Sequence, residues 1–140
     1  MRSRGERWYA GCQLIQMAAC GAFMTVIISG FIDFQSHENV PEILRAARPL
    51  VEGALAEVGC IAYSWTEDHL TPGRVMVFEE WTSSDTLTAH LESHWYRDMG
   101  QHLAKFDRLP MVRPIKKYRV DLEEPVYDET GIARGTFLTA

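Results

Sequence analysis

The sequence predicts an α+β domain in which two helices cover one face of a four-stranded antiparallel sheet, in the order strand, helix, strand, strand, helix, strand. Three observations predict it. Apolar residues alternate with a strand-like period in four segments and recur with a helical period in the two long segments between them. The second and third strands are separated only by HLTPG, a proline-glycine turn suited to a hairpin. Both helical segments open on capping residues, Asn39 in one and Ser83 or Ser84 in the other. With 140 residues, 46% of them apolar, the chain can close one compact core.

The first strand is TVIISGFIDF (25–34), rich in β-branched residues and apolar on both alternating faces. The first helix follows Asn39, with Pro41 in its first turn and Glu42 completing a capping pattern. Val40, Ile43, Leu44, Ala47, Leu50, Val51, Ala54, Leu55 and Val58 form its apolar stripe, and Gly59 stops it. Pro49 predicts a kink within one helix, because the stripe continues past it. The second strand is CIAYSWTED (60–68), with Ile61, Tyr63 and Trp65 on one face, and the third is RVMVFEEW (74–81). A second helix, with Asp85 favouring its N-terminal dipole, runs to about Phe106 and carries His90 and His94 on its apolar side. MVRPIKKYRVDL (111–122) is the fourth strand, which Pro114 places at an edge or a bulge.

This order is the split βαβ of ferredoxin-like folds. Two helices cover one sheet face, and the other face is apolar as well. An exposed patch of that size is a liability, so the pattern predicts a homodimer packed sheet against sheet. The domain is expected over residues 24–122. Residues 123–140 lack periodicity and read as a disordered tail or an arm on the partner subunit. Residues 1–23 read as a poorly ordered extension. They resemble a signal peptide only faintly: Gln13 and Gln16 break the apolar run, and the strand at Thr25 leaves almost no spacer after Cys20.

A net charge of −5 with few clustered basic residues argues against a nucleic-acid binder. No segment approaches the roughly 20 apolar residues that span a bilayer, so no membrane role is expected. Cys12, Cys20 and Cys60 are odd in number and lack metal-like spacing, which suits a reducing cytoplasm.

Gly59-Cys60 followed by Tyr63, then Pro72-Gly73-Arg74, Glu79-x-Trp81, Leu87 with His90, and His94 together resemble the antibiotic biosynthesis monooxygenase (ABM) domain family. The resemblance covers about residues 25–121 and rests on the order and spacing of these elements. It implies a dimeric α/β barrel of ferredoxin-like subunits. It also implies kinship with small monooxygenases that oxidise polyketide or quinol substrates without metal, flavin or haem. The family further includes haem-degrading enzymes and members without known activity, and fold alone does not choose among them.

A carboxylate, an indole and two imidazoles meet at the junction of the third strand and second helix, where titratable groups pattern as buried. His90, on the inner stripe, is the candidate base for a phenolic or enolic proton. His94 is the candidate donor to the developing oxygen anion. Tyr63, Trp65, Phe78 and Trp81 are candidate walls for a flat substrate. Glu79 reads as structural support, paired with a basic group such as Arg74 or Arg97, since a buried carboxylate needs partners. His90, His94, Asp98 and His102 repeat at four-residue steps, which raises metal binding. Each step drifts about 40° around a helix, so the four cannot converge, and no metal is expected.

The reading is therefore a cofactor-independent monooxygenase acting on a small electron-rich aromatic and molecular oxygen. Two alternatives stand beside it. One is a haem-binding or haem-degrading relative; such enzymes typically place an asparagine on the first strand, and Asn39 is the sole asparagine here. The other is a non-catalytic, ligand-binding dimer.

Overall fold

Four segments pair through their backbones into one antiparallel sheet: β1 (Val26–Asp33), β2 (Cys60–Glu67), β3 (Arg74–Trp81) and β4 (Lys116–Arg119). The structure is a computed structural model that describes residues 24–138, so the extension read over residues 1–23 lies outside the described residues. Strand order is β2-β3-β1-β4. The β2–β3 hairpin thus supplies one edge and its neighbour, and β1 lies between β3 and the short edge strand β4. Helices α1 (Val40–Leu55), α2 (Ser84–Glu92) and α3 (His94–Leu103) complete the ferredoxin-like order.

Strand register assigns the faces, because residues opposite one another in an antiparallel pair point the same way. Tyr63, Glu79 and Ile28 form one cross-strand row, and Cys60, Trp81 and Val26 form the next. These rows face the helices, where Val26, Tyr63 and Trp81 join Ile43, Leu87 and Met99 in the buried core. On α1 the buried residues are Val40, Ile43, Ala47 and Ala54, one stripe at helical spacing. The opposite rows place Phe78 with Ser29 and Ser64, and Met76 with Phe31 and Thr66, on the helix-free face. There Arg74 lies 3.8 Å above the Phe31 ring and bonds both oxygens of Asp33, its register partner, at 2.7 and 2.9 Å.

Several expected details differ. The second helix is two helices. Ser93 is extended (φ −74°, ψ 163°), ends α2, and accepts from the Tyr96 amide to start α3 at 3.4 Å. Serine is a favoured N-cap, so the interruption costs little. The first helix ends at Leu55 rather than Val58, and passes through Pro49 without a break. Asn39 has helical dihedrals and makes no side-chain cap; a single 3-10 turn, His37–Asn39, leads into the helix instead. The fourth strand keeps only Lys116–Arg119 of its expected span, after Pro114 and at the sheet edge. In β2 the register steps from Cys60 to Ala62, so the bulge takes Ile61 out of the row expected with Tyr63 and Trp65 and leaves it half exposed.

Candidate active site

The site is built where β3 turns into α2. Trp81 ends the strand, and Ser83 caps the helix through the Thr86 amide at 3.2 Å, with Thr86 reciprocating to the Ser83 amide at 3.2 Å. This box fixes the phase of α2, so Leu87 and His90, three residues apart, are its buried side chains. His90 is 1% exposed and Trp81 0%. Their rings stack with centroids 4.6 Å apart, and Tyr63 meets the imidazole edge-on at 5.3 Å.

A second turn completes the cluster. Gly59 sits at φ +82°, where a side chain is strained, and its carbonyl accepts from the Thr82 amide at 2.8 Å. A Cβ at Gly59 would lie 2.4 Å from the Thr86 Cγ2. The turn after α1 is therefore clamped against the start of α2. That clamp brings the Glu57 carboxylate to 2.5 Å from His90 Nδ1. His90 Nε2 is buried and has no hydrogen-bond partner among the described residues.

Burial sets the electrostatics. Glu79 accepts a hydrogen bond from Trp81 Nε1 at 3.1 Å, and burial pushes its carboxyl above the usual range. Burial, reinforced by the Glu79 charge, raises the Tyr63 phenol well above its ordinary value. Burial likewise pushes the Cys60 thiol up to about 11, with Glu79 and Glu57 adding to it. Tyr63 and Cys60 are thus held protonated at neutral pH.

The structure brings together Tyr63, Glu79, Trp81 and His90 from the residues singled out in the sequence. Trp65 lies beside Tyr63, ring centroids 6.5 Å apart; its buried indole Nε1 has no hydrogen-bond partner at normal distance among the described residues, but its N–H works on the Tyr63 phenol against the upward push of burial. Phe78 is not in the group: strand alternation turns it to the helix-free face, opposite Trp81. Nor is His94, because the break at Ser93 ends the helical phase that placed it one turn after His90. It is exposed, with its ring against Trp95 at 4.1 Å. Glu79 is braced by the indole rather than by arginine; Arg74 pairs with Asp33, and Arg97 donates to the Glu92 carbonyl at 2.8 Å. His102 Nε2 bonds the Ile43 carbonyl at 2.9 Å. Among the described residues no three His, Cys, Asp or Glu side chains group as a metal set.

Two members of the cluster were not singled out. Glu57 was hidden because Gly59 reads as a helix stop without showing what its turn delivers. Tyr96, edge-on to His90 at 5.8 Å, enters only through the start of a separate α3. It is the solvent-reaching ring of the three around His90, 47% exposed.

Comparison with known proteins agrees with this architecture. An uncharacterised protein of Synechocystis is 24% identical over 100 residues, covering 71% of this chain and 66%, just under two thirds, of that protein. A conserved protein from Methanosarcina mazei superposes with TM-score 0.60 at 23% identity, over 71% of this chain and 95% of its own. A Caulobacter crescentus protein described provisionally as an antibiotic biosynthesis monooxygenase gives TM-score 0.56 at 20% identity, over 72% and 91%. A Nitrosomonas europaea protein with the same provisional description gives 0.55 at 19%, over 73% and 92%. At such identities the likeness shows the fold. The family model named antibiotic biosynthesis monooxygenase matches residues 36–102, the stretch holding α1, the hairpin and the His90 cluster. Over that stretch the chain is similar to the antibiotic biosynthesis monooxygenase family.

Proposed function

We propose that this domain is a cofactor-independent monooxygenase for a small electron-rich aromatic, a quinol or a polyketide-like anthrone. The observation that carries the reading is His90 Nε2, a buried ring nitrogen without a partner among the described residues, inside a cage of aromatic rings. Leaving a buried polar atom unpaired costs about 1–3 kcal/mol. A substrate hydroxyl meeting Nε2 removes that cost and gives up its proton there. The resulting anion is electron-rich enough to react with molecular oxygen. One oxygen atom is retained by the substrate and the other leaves as water, with the substrate supplying the electrons. Trp81 and Tyr63 wall the flat ring, Trp65 Nε1 offers a hydrogen-bond donor beside Tyr63, and Tyr96 is the ring a substrate displaces on entry.

The reading includes a second copy of the chain. Phe31, Met76, Phe78 and Tyr118 crowd the helix-free face, with Met76, Phe78 and Tyr118 exposed. Packing that face against its twin buries them and leaves the His90 cluster on the helix side of each sheet. The folded unit is then residues 24–122, and the segment after it is the arm that lies on the partner.

Oxygen-electrode screening of a quinol and anthrone panel, with and without chelator, tests the chemistry. Uptake that survives chelation and falls at least a hundredfold in His90→Ala is expected. Unchanged uptake in that variant removes His90 as the base. No uptake across the panel, with ligands still quenching tryptophan fluorescence, favours a binding dimer instead. Sedimentation of a monomer at micromolar concentration would dispose of the sheet-to-sheet pairing.

A further inference from the structure

The His90 cluster contains one residue that neither the family match nor the ring cage explains. Glu57 lies 33 positions from His90 and reaches it only through the clamped turn at Gly59. Its side chain is 19% exposed, against 0% for His90. A histidine that serves packing alone tends to satisfy both ring nitrogens, since buried polar atoms are nearly always paired. Here one nitrogen has a carboxylate partner and the other has none among the described residues. An ionised carboxylate only accepts, so the imidazole nitrogen facing it must carry the hydrogen. In the neutral ring the opposite nitrogen then bears the lone pair.

We propose that Glu57 is the positioning residue of a carboxylate–imidazole pair, holding His90 with its hydrogen on Nδ1 so that Nε2 is presented as the proton acceptor. The inference rests on the reading of His90 as the base and assigns Glu57 its part in that step. The substrate O–H bond breaks, its proton joins Nε2, and its electron pair stays on the substrate oxygen. The hydrogen on Nδ1 remains there, bonded to Glu57 Oε2. The imidazolium so formed lies against a negative charge rather than alone in an apolar cage, which lowers the cost of forming it. Glu57 never touches the substrate.

The test reads the tautomer directly. Two-bond proton–nitrogen NMR on the full chain, at a pH where the His90 ring is neutral, reports which nitrogen carries hydrogen. The wild type is expected to show a protonated Nδ1 and a pyridine-type Nε2. Glu57→Gln can donate as well as accept, so it is expected to shift His90 toward the other tautomer. It should also slow oxygen uptake on the order of a hundredfold with KM within about twofold, while Glu57→Asp, which stays acceptor-only, keeps the wild-type tautomer. A wild-type ring protonated on Nε2, or a tautomer unchanged in Glu57→Gln, overturns the proposal. The wild-type spectrum decides even if a variant fails to fold. If the tautomer pattern is as expected and no substrate in the panel consumes oxygen, the assignment of Glu57 stands and the oxygenase reading falls.

Discussion

The imidazole of His90 lies stacked on the indole of Trp81, centroids 4.6 Å apart and planes 30° from parallel, while that same indole donates its N–H to Glu79. One side chain thus serves as platform for the proposed base and as the partner of a buried carboxylate.

Trp81→Phe separates these duties. The ring platform survives in reduced form, but the Glu79 oxygen loses its donor, which costs about 1–3 kcal/mol. Trp81→Ala loses the platform too, and large aromatic truncations in a core cost about 3–5 kcal/mol. Urea unfolding of both variants should rank them in that order. Equal losses would mean that the indole N–H contributes nothing.

Glu79 predicts a pH dependence. Burial raises its carboxyl in the folded state above the unfolded value of about 4.3. The folded state therefore holds this proton more tightly. The stability it contributes is fully present below the unfolded value and is lost as pH rises through the folded one. Glu79→Gln keeps an oxygen for the Trp81 N–H and never ionises. Its stability relative to the wild type should accordingly be greater at pH 7 than at pH 4, measured by urea unfolding. An advantage that shrinks with rising pH would show that the carboxylate, not the acid, is the favoured form in the fold.

Gly53 predicts a steric effect. A Cβ there would sit 2.4 Å from the Trp95 ring, so α1 and α3 meet with an indole lying on bare backbone. Alanine gains about 1 kcal/mol of helix propensity over glycine. Forcing the ring aside costs about 1–3 kcal/mol, as overpacking usually does. The second effect should win, giving a net loss near 1 kcal/mol in thermal unfolding and a changed near-ultraviolet tryptophan signal. A stabilised Gly53→Ala would mean that Trp95 moves freely.

Three of the four strands were legible because their information is local. RVMVFEEW carries alternation and follows a Pro-Gly turn, and β3 occupies Arg74–Trp81 as expected. The cap was legible as Ser83 or Ser84 for the same reason, and the structure chooses Ser83. Facing was not. Both faces of β1 and β3 are apolar, so nothing in the string says that Trp81 looks toward the helices and Phe78 away from them. Glu57 and His90 meet across 33 residues through a turn whose shape depends on Thr82 and Thr86, which no short window contains. His94 was misplaced because a four-residue step implies one face only while the helix is unbroken, and an extended Ser93 is compatible with a helical apolar pattern on either side.

That serine also divides the chain's angular bookkeeping. With Ser83 setting the rotation of α2 and Ser93 setting that of α3, the two helices keep independent phase origins. A residue inserted after Ser93 would turn everything downstream in α3 by about 100° about its axis, Tyr96 included, without rotating His90. The ring that borders solvent and the imidazole it borders therefore take their directions from two separate caps, and the burial of Met99 and Leu103 in α3 is what holds the two phases in agreement.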